Sequence, residues 1–181
     1  MPLTNEQSER LRELAALAAP ICASAGVPLA VCLAQWAIAT EWGNIQVDFN
    51  LFTLRGAGDA GTQTVKLADG PRRRAVTHIA RYSSPHAAVR AYCSLVTSGR
   101  YAEAKVRFSD DAARFLVYLW GAGYARAPHY PEECARASAD IASALEAPYL
   151  AFKLDRATKA LCGRLRDAPR RYERLLEEMK A

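Results

Sequence analysis

Few residues in this chain have the types and spacing that chemistry needs. His78, His86 and His129 are scattered, and none stands at ligand spacing from Cys22, Cys32, Cys93, Cys134 or Cys162, so no metal is expected. There is no glycine-rich phosphate loop and no Gly-x-Ser-x-Gly elbow, and no organic cofactor is expected either. Four local patterns remain. They are Leu33 to Gly43 (LAQWAIATEWG), Asn50-Leu51-Phe52, Arg81-Tyr82-Ser83-Ser84, and Ala122 to Tyr130 (AGYARAPHY). The nearby carboxylates able to give or take a proton are Glu41 and Asp48.

The elements that must position these patterns are mostly helical. Thr4 and Gln7 have capping-box spacing, and Leu11, Leu14, Ala15 and Ala18 recur at helical intervals after them. Gly26 and Pro28 separate this helix from a second, in which Leu29, Cys32, Leu33 and Trp36 form an apolar stripe. That helix is expected to stop near Trp42-Gly43. Thr62 to Leu67 and Arg74 to Ile79 alternate as strands around Asp69-Gly70, a hairpin turn signal, and Arg72-Arg73-Arg74 reads as a solvated strand. Ser84-Pro85 opens a helix to about Thr97. Further helices are expected from Ser109 to Ala122 and from Pro131 to Leu145, with two more in the tail, divided near Asp167-Ala168-Pro169.

The 181 residues carry 51% hydrophobic and 24% charged side chains, which fits one globular chain and excludes disorder. No apolar run is long enough to span a membrane. The N-terminus shows no secretory signal, and five cysteines without close pairing read as reduced core thiols of a chain made in the cytoplasm. Residues 148–181 hold nine Lys/Arg against five Asp/Glu, most of the net charge of +5. Without interleaved aromatics or a recognition motif this basic end is a poor nucleic-acid signature; it reads as a solvated helical face.

Taken in order, the four patterns resemble the peptidoglycan N-acetylglucosaminidases of glycoside hydrolase family 73, which include the wall-cutting domain of the flagellar rod-assembly protein. That family has a helix reading L-A-Q-x-A-L-E-S-G-W-G, then N-L-F-G-I-K, a β-hairpin, F-R-x-Y-x-S and G-Y-A-T-D-P-x-Y. The matching positions here are Gln35, Ala37, Trp42, Gly43, Asn50, Leu51, Phe52, Tyr82, Ser84, Gly123, Tyr124, Ala125, Pro128 and Tyr130. The match covers residues 5 to 146. It implies a mainly α, lysozyme-like α+β fold with one small β-hairpin lobe, over residues 1–147, and a basic helical extension, 148–181, packed on it.

The resemblance also implies a cleft for the GlcNAc–MurNAc glycan of peptidoglycan. Tyr124 would assist catalysis, and Gln35, Trp42, Asn50, Phe52, Tyr82 and Tyr130 would bind substrate. Gln35 either lines the cleft or is a satisfied buried amide; Trp42 is either core or cleft wall. The catalytic glutamate of the family falls at Ala39, and a methyl group cannot protonate a leaving oxygen. The acid that many relatives carry in the hairpin falls at Lys66, and the aspartate of T-D-P at Ala127. Glu41 lies about 200° around the helix from position 39 and could substitute only if the helix ended by Thr40. The chain is thus either an inactivated variant or a homologue that kept the cleft as a glycan-binding or adaptor module. It would reach the wall through a secretion or phage machinery.

Overall fold

Helix α1 (Asn5–Ala25) opens on the expected capping box, with Thr4 and Gln7 exchanging backbone N–H bonds, and closes on left-handed Gly26 at φ 72°. The computed structural model describes residues 3–45, 48–68, 74–168 and 170–179. Helix α2 (Leu29–Thr40) starts after Pro28. Its sequence suggests a single apolar stripe, yet Ala30 through Ala37 and Thr40 are all buried. A short, alanine-rich helix can be enclosed this way because small side chains let neighbours approach on every side. It packs against α1 and against two later helices, Ala112–Gly121 and Tyr130–Ala144. Ile38 and Ala39 are half-buried, so the open face of α2 lies at its C-terminal end.

The predicted stop at Trp42-Gly43 is two residues late. The helix ends at Thr40, whose hydroxyl donates to the Trp36 carbonyl (2.8 Å) and accepts from the Gly43 N–H (2.9 Å). Glu41, Trp42 and Gly43 then take three successive left-handed conformations, φ 49°, 62° and 82°. The first two have a Cβ and so carry a strain of about 1–2 kcal/mol each. Arg10 of α1 holds this segment through the Gly43 carbonyl at 2.7 Å.

Strands β1 (Thr62–Ala68) and β2 (Arg74–Ala80) pair antiparallel, with Thr62 opposite Ala80 and Ala68 opposite Arg74. The Asp69-Gly70 turn, Arg72 and Arg73 lie outside the described residues, as do the side chains of Lys66 and Arg74. A lone two-stranded hairpin is marginal, so it needs an anchor at its base. Ile79 and Ala80 are fully buried, the Ala80 N–H donates to the Leu54 carbonyl (2.9 Å), and Arg55 bridges to Ile79.

Helix α3 (Pro85–Val96) is capped by Ser84 as expected. A 3₁₀ turn (Gly99–Tyr101) and α4 (Ala102–Phe108) follow, where sequence reasoning saw no element. Only Ala104 of α4 is buried, too little for a periodic signal. Helix α5 (Ala112–Gly121) begins at the Asp111 cap, three residues later than the sequence suggests, and α6 covers Tyr130–Ala144.

Beyond α6 the chain makes a 3₁₀ turn (Pro148–Leu150), α7 (Arg156–Arg166) and α8 (Arg171–Glu178). Leu150, Phe152, Leu154, Cys162, Leu165 and Leu175 join the same hydrophobic cluster as α2 and α5. Leu165 and Leu175 close over Gly121, where an added Cβ would come within 3.0 Å of Leu175. Full burial of one leucine side chain is worth about 1.5–3 kcal/mol, so this segment contributes substantially to the core. Several of its arginines are engaged within the molecule: Arg164 with Glu178 (2.9 Å), Arg166 with Glu132 (2.6 Å), and Arg174 with Glu177 (3.2 Å) and Glu178 (2.8 Å). All five cysteines are buried and free; Cys22 and Cys93 face each other at 3.9 Å between sulfurs. No helix among the described residues is long and apolar enough to cross a membrane.

Candidate active site

A cavity of about 310 Å³ opens at the exposed end of α2. Ile38 and Ala39 form its floor, Phe52 to Arg55 one wall, and Tyr124, Ala125 and Tyr130 the other. Four predicted site residues, Ala39, Phe52, Tyr124 and Tyr130, therefore meet in one cavity although they are up to 91 positions apart.

Local chemistry builds each wall. Asn50 is buried, and its amide is spent on backbone: Nδ2 donates to the Leu54 and Ala80 carbonyls (both 2.9 Å), and Oδ1 accepts from the Leu54 N–H (2.8 Å). It folds residues 50–54 into a tight loop and ties that loop to the hairpin base. Phe52 is consequently held over Tyr92 of α3, ring centroids 4.1 Å apart and nearly parallel. The opposite wall hangs from the end of α5. Gly123 at φ 94° lets its own N–H reach the Trp120 carbonyl and the Tyr124 N–H reach Leu119 (both 3.0 Å), the paired closing bonds of a Schellman turn. A Cβ at position 123 would strain that conformation, so the glycine is what aims Tyr124 across the cavity.

Behind the floor, Gln35 lies one turn before Ala39 and is buried. Its Oε1 accepts from the Tyr92 hydroxyl at 2.5 Å, while the buried Nε2 makes no hydrogen bond of normal length among the described residues and acts on the Tyr130 phenol, opposing in part the effect of burial there. Tyr124 sits between Tyr101 and Tyr130, at 6.2 and 6.3 Å between ring centroids. Burial pushes the Tyr124 and Tyr130 phenols well above their ordinary range, and the neighbouring Cys134 adds to this. Both stay protonated at working pH and can act as hydrogen-bond donors, not as bases.

Other predicted residues lie elsewhere. Trp42 is half-buried against the core, outside the cavity lining. Tyr82 is buried near Asp59, also outside it. Glu41 meets the condition set by the sequence, since the helix does end at Thr40, but it is exposed and does not line the cavity. Asp48 is exposed and pairs with Arg81 at 3.1 Å. Among the described residues no carboxylate lines this cavity. Arg55, which sequence reasoning missed, is its cationic residue; nothing in a lone arginine after a loop signals that position. No group of three or more His, Cys, Asp or Glu among the described residues could hold a metal ion.

Residues 15–142 match the family model described as mannosyl-glycoprotein endo-β-N-acetylglucosaminidase, or glucosaminidase. Among solved structures, the chain is similar to a peptidoglycan hydrolase from Sphingomonas sp. A1, with 28% identity over 77% of this chain and 92% of that one, TM-score 0.59. It is also similar to the catalytic domain of the autolysin Auto from Listeria monocytogenes, with 18% identity over 82% and 90% of the two chains, TM-score 0.66. The glycoside hydrolase domain of FlgJ from Salmonella typhimurium gives 23% identity over 77% and 91%, TM-score 0.60. No curated protein sequence matches the chain.

Proposed function

From this chain, which belongs to the glucosaminidase family over residues 15–142, we propose a peptidoglycan-directed glycoside hydrolase of the endo-β-N-acetylglucosaminidase type, written with alanine at its general-acid position. The observation that carries this reading is the place of Ala39: on the open end of an otherwise enclosed helix, at the floor of a cavity walled by Phe52, Tyr124 and Tyr130. Hydrolysis needs a proton delivered to the leaving glycosidic oxygen. A carboxyl at position 39, half-buried among mainly apolar and aromatic groups, would have its ionisation disfavoured by burial, with the Arg55 guanidinium of the same lining acting in the opposite sense. Gln35, with a buried donor one turn away, would orient it. The protonated Tyr124 and Tyr130 hydroxyls would hold water or the acetamido group, and the buried Phe52, stacked on Tyr92, would keep its wall of the cavity in place.

In this reading the partner is the GlcNAc–MurNAc strand, reached through a secretion or phage-lysis apparatus, and the place of action is the periplasmic or target-cell wall. The lack of a lining carboxylate favours a second reading, a glycan-binding or adaptor module that works through the same cavity. One experiment separates them from a vestigial cleft. Losing a catalytic acid removes transition-state stabilisation but keeps most ground-state contacts. The chain as it stands is expected to co-sediment with insoluble peptidoglycan and release no reducing ends over hours. Robust cleavage would mean that Glu41 or Asp48 supplies the acid; neither binding nor cleavage would sink both readings.

A further inference from the structure

The segment from Ala122 to His129 is irregular backbone, whose carbonyls find few partners within it. Four of them are met by side chains from outside. Ala122 accepts from Arg100 (3.4 Å), Ala125 from Arg171 (3.3 Å), Ala127 from the Trp120 indole (2.9 Å) and Pro128 from Arg166 (3.2 Å). Two of these donors, Arg166 and Arg171, belong to α7 and α8, beyond the last residue matched by the family model. Arg171 also lies over the Trp120 ring, 4.1 Å from its centroid, and Arg166 is braced by Glu132 at 2.6 Å. Tyr172 adds a third tie by carrying Arg100 over its ring at 5.6 Å.

We propose that α7 and α8 are a clamp that fixes the turn bearing Tyr124, with Arg166 and Arg171 as positioning residues for the cavity; the catalytic sense of this rests on the glycan reading above. Trp120 is the pivot. Its indole N–H bonds one turn carbonyl while its face carries the guanidinium that bonds another, so the turn is gripped from the core side and the tail side together. Two of the tail's basic residues, Arg166 and Arg171, find their use here. Guanidinium suits it because a planar fork can stack on an indole and donate to a carbonyl at the same time, which an ammonium cannot do equally well.

Deleting the tail would open the core, so point variants are the test. Hydrogen exchange of the Gly123 and Tyr124 amides is measured in the full chain and in R166A/R171A, R171K and R174A, alongside co-sedimentation with peptidoglycan. The double variant is expected to exchange at these amides about tenfold faster with the helical amides of α2 and α5 unchanged. R171K should fall between, and R174A, which breaks only pairs within α8, should match the parent. Glycan retention should weaken by about tenfold in the double variant alone. Unchanged exchange at Gly123 and Tyr124, or acceleration spread evenly over α2 and α5, would overturn the clamp. A loosened turn with undiminished glycan retention would overturn its service to the site. If the parent chain retains no glycan, the glycan reading fails, and the exchange data alone decide the clamp.

Discussion

Ala39→Glu is expected to raise the rate of reducing-end release from peptidoglycan by about 10²–10⁴, the usual contribution of general acid catalysis. The side chain must extend from a half-buried position on a helix that is otherwise enclosed. Ala39 already borders a cavity of about 310 Å³, so the added carboxyl has space and needs no repacking of α2. The Gln35 Nε2 one turn earlier offers it a donor, so the unfolding temperature should change little. In the same background Tyr124→Phe should keep the fold, because a single hydroxyl is lost, while lowering the rate at saturating glycan more than the affinity. Reducing-end release and co-sedimentation, run in parallel, check both. An Ala39→Glu protein that folds, binds glycan and still cleaves nothing would leave the adaptor reading standing.

Asn50→Ala is expected to be the most destabilising change near the cavity, costing about 2–4 kcal/mol by denaturant unfolding. The residue is buried, and its three hydrogen bonds serve the backbone of Leu54 and Ala80. Its removal leaves the Leu54 N–H without its acceptor and takes one donor each from the Leu54 and Ala80 carbonyls, of which the Leu54 carbonyl keeps the Ala80 N–H. Asn50→Asp should also destabilise, since a carboxylate would face the Leu54 and Ala80 carbonyls where an amide now donates to them. Because the loop carries Phe52 and the anchor of β2, glycan retention should fall along with stability. A variant with unchanged stability would mean that Phe52 stacking and the backbone ties to Ile79 and Ala80 hold the loop without the Asn50 amide.

The sequence by itself determined where the first and third helices begin and which family the chain belongs to. Thr4 and Ser84 cap as their side-chain oxygens dictate, since a capping bond is made within four residues. The alternation around positions 62–79 is a strand pattern for the same local reason. The order of four short patterns carried the family. The tertiary structure decided the rest. That Asn50 pins a loop, that Gln35 backs the floor and that Tyr82 and Trp42 stay outside the cavity depend on partners 30 to 57 positions away, as with Ala80 and Tyr92. The stop of α2 at Thr40 rests on its own hydroxyl and on Arg10 reaching from another helix to Gly43. The tail shows the difference most plainly. In sequence its arginines read as a charged solvent face, because charge is visible there and partners are not. Folded, Arg166 and Arg171 meet the unpaired carbonyls of the turn that holds Tyr124, and only the packing of Leu165 and Leu175 over Gly121 brings them there.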